Sequence, residues 1–228
     1  MPFRSEYLKK VETGRFLNYH WMLHQQLGLP IIGNKYSLVN VIHNGYDSGK
    51  VNILAIKNNT NQQFFAAKFD IENMPHQASI LRAEYNLLRK YRDSKYVPRV
   101  YGFHKATFNG VDYEAIVMDL LGPNLVFAYH KMKDSFTIPT CLKLGQKMLR
   151  AVQAVHSKGL LHGEVNPVNF CFSTMDVDPA TSNVVLIDFN NCRPFEYDKN
   201  KKITKEIIYY AKREVKRVCT IISSFIKK

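Results

Sequence analysis

A change of period midway along the chain constrains its fold more than any other feature. Up to Asp119 the apolar residues fall in short runs rich in β-branched and aromatic types, at 36–42, 50–57, 63–70, 99–104 and 113–119. Asn44-Gly45 and Asn58-Asn59-Thr60-Asn61 separate the first three, which predicts an antiparallel meander. One helical interval, about 77–91, interrupts the strands with Ile80, Leu81, Leu87 and Leu88. After Pro139 the spacing becomes helical, and Leu142, Leu144, Met148, Leu149, Val152 and Val155 lead to a stop at Gly159. Short strands at 170–172 and 184–187 follow. A last helix over 204–226 carries Ile207, Tyr210, Val218, Ile221, Ile222 and Phe225 on or near one face. Another helix, imperfect at Gly14, is expected at 5–27. Strands come first and helices after, which predicts an α+β fold of two lobes with a cleft between them. Residues 1–31 form a helical extension, 32–119 a β-rich lobe with one main helix, and 120–228 a shortened, mostly helical lobe.

Composition narrows the class. With 46% apolar residues in 228, the chain can bury a core and is not a disordered tail. No run approaches the roughly 18–20 apolar residues that a membrane span needs. Met1-Pro2-Phe3-Arg4-Ser5-Glu6 lacks the apolar segment of a signal peptide. Cys141, Cys171, Cys192 and Cys219 are scattered, which reads as free thiols in a reducing compartment, cytoplasm or nucleus. Asn58-Asn59-Thr60 matches a glycosylation sequon that an intracellular chain would not use. The net charge of +13 gathers at the end, with ten Lys/Arg against two Glu from Lys199 onward. Two readings stand: a solvated helix face, or an attachment site for an acidic protein partner. No aromatic stacking platform or nucleic-acid motif accompanies the charge.

Several marks then occur in order. Phe65-Ala66-Ala67-Lys68 ends a strand, and Glu84 sits in the next helix. Met118-Asp119-Leu120-Leu121-Gly122-Pro123-Asn124-Leu125 joins the halves. His162-Gly163-Glu164-Val165-Asn166-Pro167-Val168-Asn169-Phe170 precedes an apolar strand that ends in Asp188-Phe189-Asn190. From about Ile32 to Arg193 the chain resembles a protein kinase. Its joining segment is similar to that of the casein kinase 1 group, which includes the tau-tubulin and vaccinia-related kinases. The resemblance implies that Lys68 holds the α/β-phosphates of ATP and is itself held by Glu84. It implies that Asn169 and Asp188 bind Mg²⁺, and that Met118 with the backbone of Asp119 to Leu121 lines an adenine pocket beside Val51 and Ala66. His162 and Phe189 would be packing residues.

The departures bear on activity. The glycine-rich loop would be 43–51, but His43 stands at its first glycine position; Gly45 is present and Gly49 comes one residue late. Glu164 stands where active kinases have Asp, and Asn166 where they have Lys. Asn190 replaces a glycine, and Gly163 replaces Arg, as in the vaccinia-related kinases. Little sequence separates Arg193 from the last helix, so an activation segment and the peptide-docking helices are missing by comparison with a complete kinase. The expectation is a pseudokinase, a binding or regulatory module that holds ATP–Mg²⁺ weakly. The alternatives are a weak Ser/Thr kinase with Glu164 as base, and a structural partner protein with an empty cleft.

Overall fold

The computed structural model describes residues 30–43, 51–70, 78–108, 111–132, 136–195 and 204–226. The expected helix at 5–27 and the loop containing Gly45 and Gly49 lie outside the described residues. The chain divides into two compact units: residues up to Arg92 with Arg99–Leu120, and Asp93–Pro98 with Leu121 onward. The division departs from the sequence reading at Asp93–Pro98, which joins the second unit. There the Tyr96 carbonyl accepts from the Leu186 N–H at 2.9 Å.

The first unit is built on β1 (Pro30–Ile32), β2 (Tyr36–His43), β3 (Val51–Asn58), β4 (Phe64–Asp70), β5 (Val100–Phe108), β6 (Val111–Asp119) and the helix α1 (Ala78–Arg89). They form one antiparallel sheet in the order β1-β2-β3-β4-β6-β5. Alternation decides its faces. Leu54, Ile56, Phe65, Ala67, Phe69, Ala115 and Val117 share one core with Ile32 and Tyr36. The Tyr36 ring meets those of Phe65 and His104 at 5.7 and 5.8 Å, and β1 lies against β5, so the sheet curls around this core. The opposite face carries Ala66 and Lys68, beside Met118 and Ile116 across the register. The turn after β3 is set by Asn58, whose buried side-chain oxygen accepts from the Thr60 N–H at 2.9 Å. The sequon asparagine is thus committed to the fold. In α1, Leu81, Glu84 and Leu88 are buried while Ile80 is exposed.

The second unit contains α2 (Leu125–Lys131), α3 (Ile138–His156), β7 (Leu160–Leu161), β8 (Phe170–Phe172), β9 (Val184–Leu186), β10 (Arg193–Pro194) and α4 (Lys205–Ile226). Asn124 caps α2, its side chain accepting from the Phe127 N–H at 2.8 Å. Thr137 caps α3, with a proline in the first turn. Leu144, Met148, Val152 and Val155 of α3 are buried together with Phe170, Phe172 and Leu186 of the β8–β9 pair. The rings of Tyr129, Phe136 and Phe225 close one end at 4.7–5.6 Å. Lys147 reaches back to the carbonyls of Ala180 and Ser182 at 2.9 and 2.7 Å and secures that loop.

The four cysteines are free, as expected. Burial pushes the Cys171 thiol up to about 12, so it is chemically quiet. Among the described residues no helix is long and apolar enough to cross a membrane. Met148→Ala is expected to cost about 2–5 kcal/mol in urea unfolding, since it opens a cavity at a fully buried site. Leu142→Ala, one and a half turns earlier on the exposed side of α3, should change stability by only about 0.5 kcal/mol.

Candidate active site

The first unit supplies a cation fixed by a carboxylate. Lys68 lies on the α1-facing side of β4, and Glu84 falls on the buried stripe of α1. The Lys68 Nζ donates to both Glu84 carboxylate oxygens, at 2.9 and 2.8 Å. Both residues are buried, at 5% and 3% exposure, so the pair is little screened and each charge requires the other. Ala66 and Met118 are register partners on β4 and β6. The Asp119 N–H donates to the Arg99 carbonyl at 3.0 Å, while its carboxylate accepts from the Arg99 N–H and the Tyr101 hydroxyl at 2.9 and 2.8 Å. Burial, then this bond to Asp119, holds the Tyr101 phenol above its ordinary pKa. Val51 begins β3, opposite Asp70.

The second unit supplies the loop from His162 to Asp188. His162 is fully buried, and its ring packs on Phe189 at 4.9 Å. Nδ1 accepts from the Glu164 N–H at 3.3 Å, so Nε2 carries the proton donated to the Ile187 carbonyl at 3.0 Å. Burial holds this imidazole below its ordinary pKa, which keeps that neutral tautomer. Asn169 is buried. Its side-chain Nδ2 donates to the Glu164 carbonyl at 3.0 Å, and its own carbonyl accepts from the Ile187 N–H at 2.9 Å. With the amide nitrogen engaged, the side-chain oxygen is the atom that can meet a cation. Asp188 adopts φ 66, the left-handed region, unusual for a residue other than glycine and a strained setting for a carboxylate.

The departures from the kinase pattern have local structural roles. The Glu164 carboxylate accepts from the Asn191 side-chain amide at 2.9 Å. Asn166 caps the 3-10 turn Pro167–Asn169, its side-chain oxygen accepting from the Val168 N–H at 2.9 Å. Gly163 has φ 84, and a Cβ there would come within 2.3 Å of the Asn191 carbonyl oxygen, so only glycine fits. The left-handed residue of the turn that follows is Asp188, and Asn190 is not among the described positive-φ positions.

One essential residue was missed. Glu214 of α4, only 6% exposed, accepts from the N–H groups of His162 and Gly163 at 3.2 and 2.6 Å and from His156 Nε2 at 2.8 Å. Burial alone would raise its pKa, but the bonds from His156, Gly163 and His162 together outweigh it and hold the carboxyl below its ordinary value. The signal was present: Glu214 continues the apolar stripe of Tyr210 and Val218, where an acid must have a buried partner. Asn191 gave no such signal.

A lysine locked to a helical glutamate on one unit, and a His-Gly-Glu loop leading to Asp-Phe on the other, belong to an α+β, two-lobed kinase-like fold. Comparison with known families agrees, since the protein kinase domain matches residues 37–225, and the chain belongs to the protein kinase family. A probable serine/threonine-protein kinase of Dictyostelium discoideum is 31% identical over 187 residues, 80% of this chain. The chain spans about a third of that relative, the match covering 32% of its length.

A kinase domain implies ATP and Mg²⁺, and the residues present fit them. Asn169 and Asp188 offer hard oxygen donors, and the Ile187 N–H bond to Asn169 ties the two segments together. Among the described residues no cluster of three or more His, Cys, Asp or Glu could hold a metal unaided. Acidification should weaken the fold in two windows. His162 is held below its ordinary 6.5, so stability begins to fall as the pH drops below that value, where the unfolded chain protonates first. Glu214 is held below 4.5, so its share persists above that pH and is lost as the pH falls through its depressed folded value. In urea titrations from pH 7.5 down to about 2, Glu214→Gln should remove the lower window and leave the upper one.

Proposed function

We propose that this chain is a catalytically impaired kinase domain of the casein kinase 1 group, working inside the cell as a nucleotide-responsive binding or regulatory module. The observation that carries the reading is the state of Glu164. A general base needs a carboxylate aimed at the substrate hydroxyl. Here the side chain is one methylene longer than Asp, and one of its oxygens is held by the Asn191 amide. Misplacement by about 1 Å can cost about 10²-fold in rate. Asn166 brings no cation to the transferring phosphoryl and is engaged in its cap. The group assignment rests on the joining segment Met118–Leu125 and on Asn169-Phe170 after the loop.

In this reading Lys68, kept in place by Glu84, pairs with nucleotide phosphates, while Asn169 and Asp188 ligate the metal. ATP–Mg²⁺ would supply the transferable phosphoryl and the counter-charge to it. The backbone of Asp119 and Leu121, with Met118, Ala66 and Val51, would receive the adenine. Binding is weak, because the loop containing Gly45 and Gly49 departs from the glycine spacing that lets backbone approach phosphates. A weak Ser/Thr kinase is the second reading. It is favoured by the retained carboxylate of Glu164 and by the name of the Dictyostelium relative.

Purified protein should raise its melting temperature in excess ATP with Mg²⁺, and less with EDTA. Lys68→Ala and Asp188→Ala should each abolish that shift. Label from γ-phosphate should not reach casein-like or basic peptides above background. Turnover of about 1–100 s⁻¹ that disappears in Glu164→Ala would sink the proposal in favour of the enzyme.

A further inference from the structure

The second unit carries an apolar groove that none of the candidate site residues uses. Helices α3 and α4 run antiparallel: a Cβ at Gly145 would sit 3.0 Å from Ile222, and His156 bonds Glu214 towards the other end. At about 100° per residue, Ile138, Leu142 and Leu149 fall within a stripe about 40° wide on α3. On α4, Ile208, Val215, Cys219 and Ile226 fall within another of about 40°. In an antiparallel pair, equal turns away from the contact line lead to the same side, so the two stripes border one groove. These residues are exposed, Leu142 by 60% and Val215 by 41%. Near His156 the groove deepens into a depression of about 480 Å³ floored by Ala211, Val215 and Cys219. Lys212 and Lys216 line its edge on α4.

We infer that this groove docks an amphipathic helix of a partner protein, with acidic residues flanking an aliphatic stripe. An apolar floor edged by the cations Lys212 and Lys216 is complementary to that chemistry. A second copy of the chain fits badly, because it would set Lys212 and Lys216 against another +13 chain. Nucleic acid fits badly too, since the floor is aliphatic and has no ring for a base to stack on. From Ile208 to Ile226 the α4 stripe is about 27 Å long, which matches a partner helix of about 18 residues. The apolar contact sets the lifetime of the complex and the charges its encounter rate. The inference deepens the binding-module reading and rests on it.

The test uses the full chain and a labelled 18-residue peptide with Leu at helical spacing and Glu on both flanks, followed by fluorescence anisotropy. A scrambled peptide of the same composition is the control. The designed peptide should bind more tightly than the scrambled one and lose affinity with added salt. The double variant Lys212→Gln/Lys216→Gln should weaken binding about tenfold. Arg213→Gln/Arg217→Gln removes the same charge from about 100° further round α4, away from the groove, and should change binding less than about twofold. Val215→Asp should abolish binding. If that variant does not fold, the two charge variants decide. Equal binding of the scrambled peptide, equal losses in both charge variants, or no binding would overturn the inference. So would displacement of the peptide by a single-stranded RNA oligomer at equal affinity, or a dimer in sedimentation that excludes it. Phosphate transfer measured in the same preparations tests the module reading separately, since a chain that both transfers phosphate and binds the peptide overturns that reading alone.

Discussion

The order of the second unit depends on one buried carboxylate. Glu214 accepts two backbone N–H groups from the loop at His162-Gly163 and one imidazole N–H from the end of α3. An acid at 6% exposure is costly unless its acceptor sites are filled, and here three donors from two separate segments fill them. The bonds also fix what lies next to them. The loop enters with Gly163 in a conformation only glycine tolerates, His162 is oriented against Phe189, and the His162 tautomer follows from its own two bonds.

The loop from His162 to Asn169 is held by local contacts at each unusual position. Glu164, Asn166 and Gly163 each depart from the usual kinase residue, yet each has a local partner or a steric reason to be as it is. The Asn191 side chain satisfies Glu164, and the Asn191 carbonyl closes the space beside Gly163. Asn166 closes the turn that presents Asn169. A loop that had merely decayed would leave buried polar groups unpaired. In this one each of the three positions has its partner or its steric reason.

Much of the fold was legible because burial imposes period. The runs before Asp119 alternate and became β2 to β6, and the 3.6-residue spacing after Pro139 became α3 and α4. The elements that escaped notice are those whose existence depends on tertiary pairing. β1 has three residues, and the β7–β10 ladder is two residues against two. The seven-residue α2, signalled by Asn124, fell within a motif read as a connection. Lys68, Glu84, Asn169 and Asp188 were legible as sequence motifs. Glu214 was not, because a glutamate in a basic stretch was counted as charge and not as a member of the apolar stripe. Asn191 could not have been found, since its contact with Glu164 depends on how the chain turns after Asp188.

The bond between Gly163 and Glu214 spans 51 positions of sequence, which bears on how the chain matures. During synthesis the loop emerges well before its acceptor, and closing so long a segment carries an entropic cost that nothing offsets until α4 has formed. A helix made later thus sets the geometry of a loop made well before it. A ribosome stalled before residue 214 would hold a chain whose first sheet can be complete while its catalytic loop still samples many shapes.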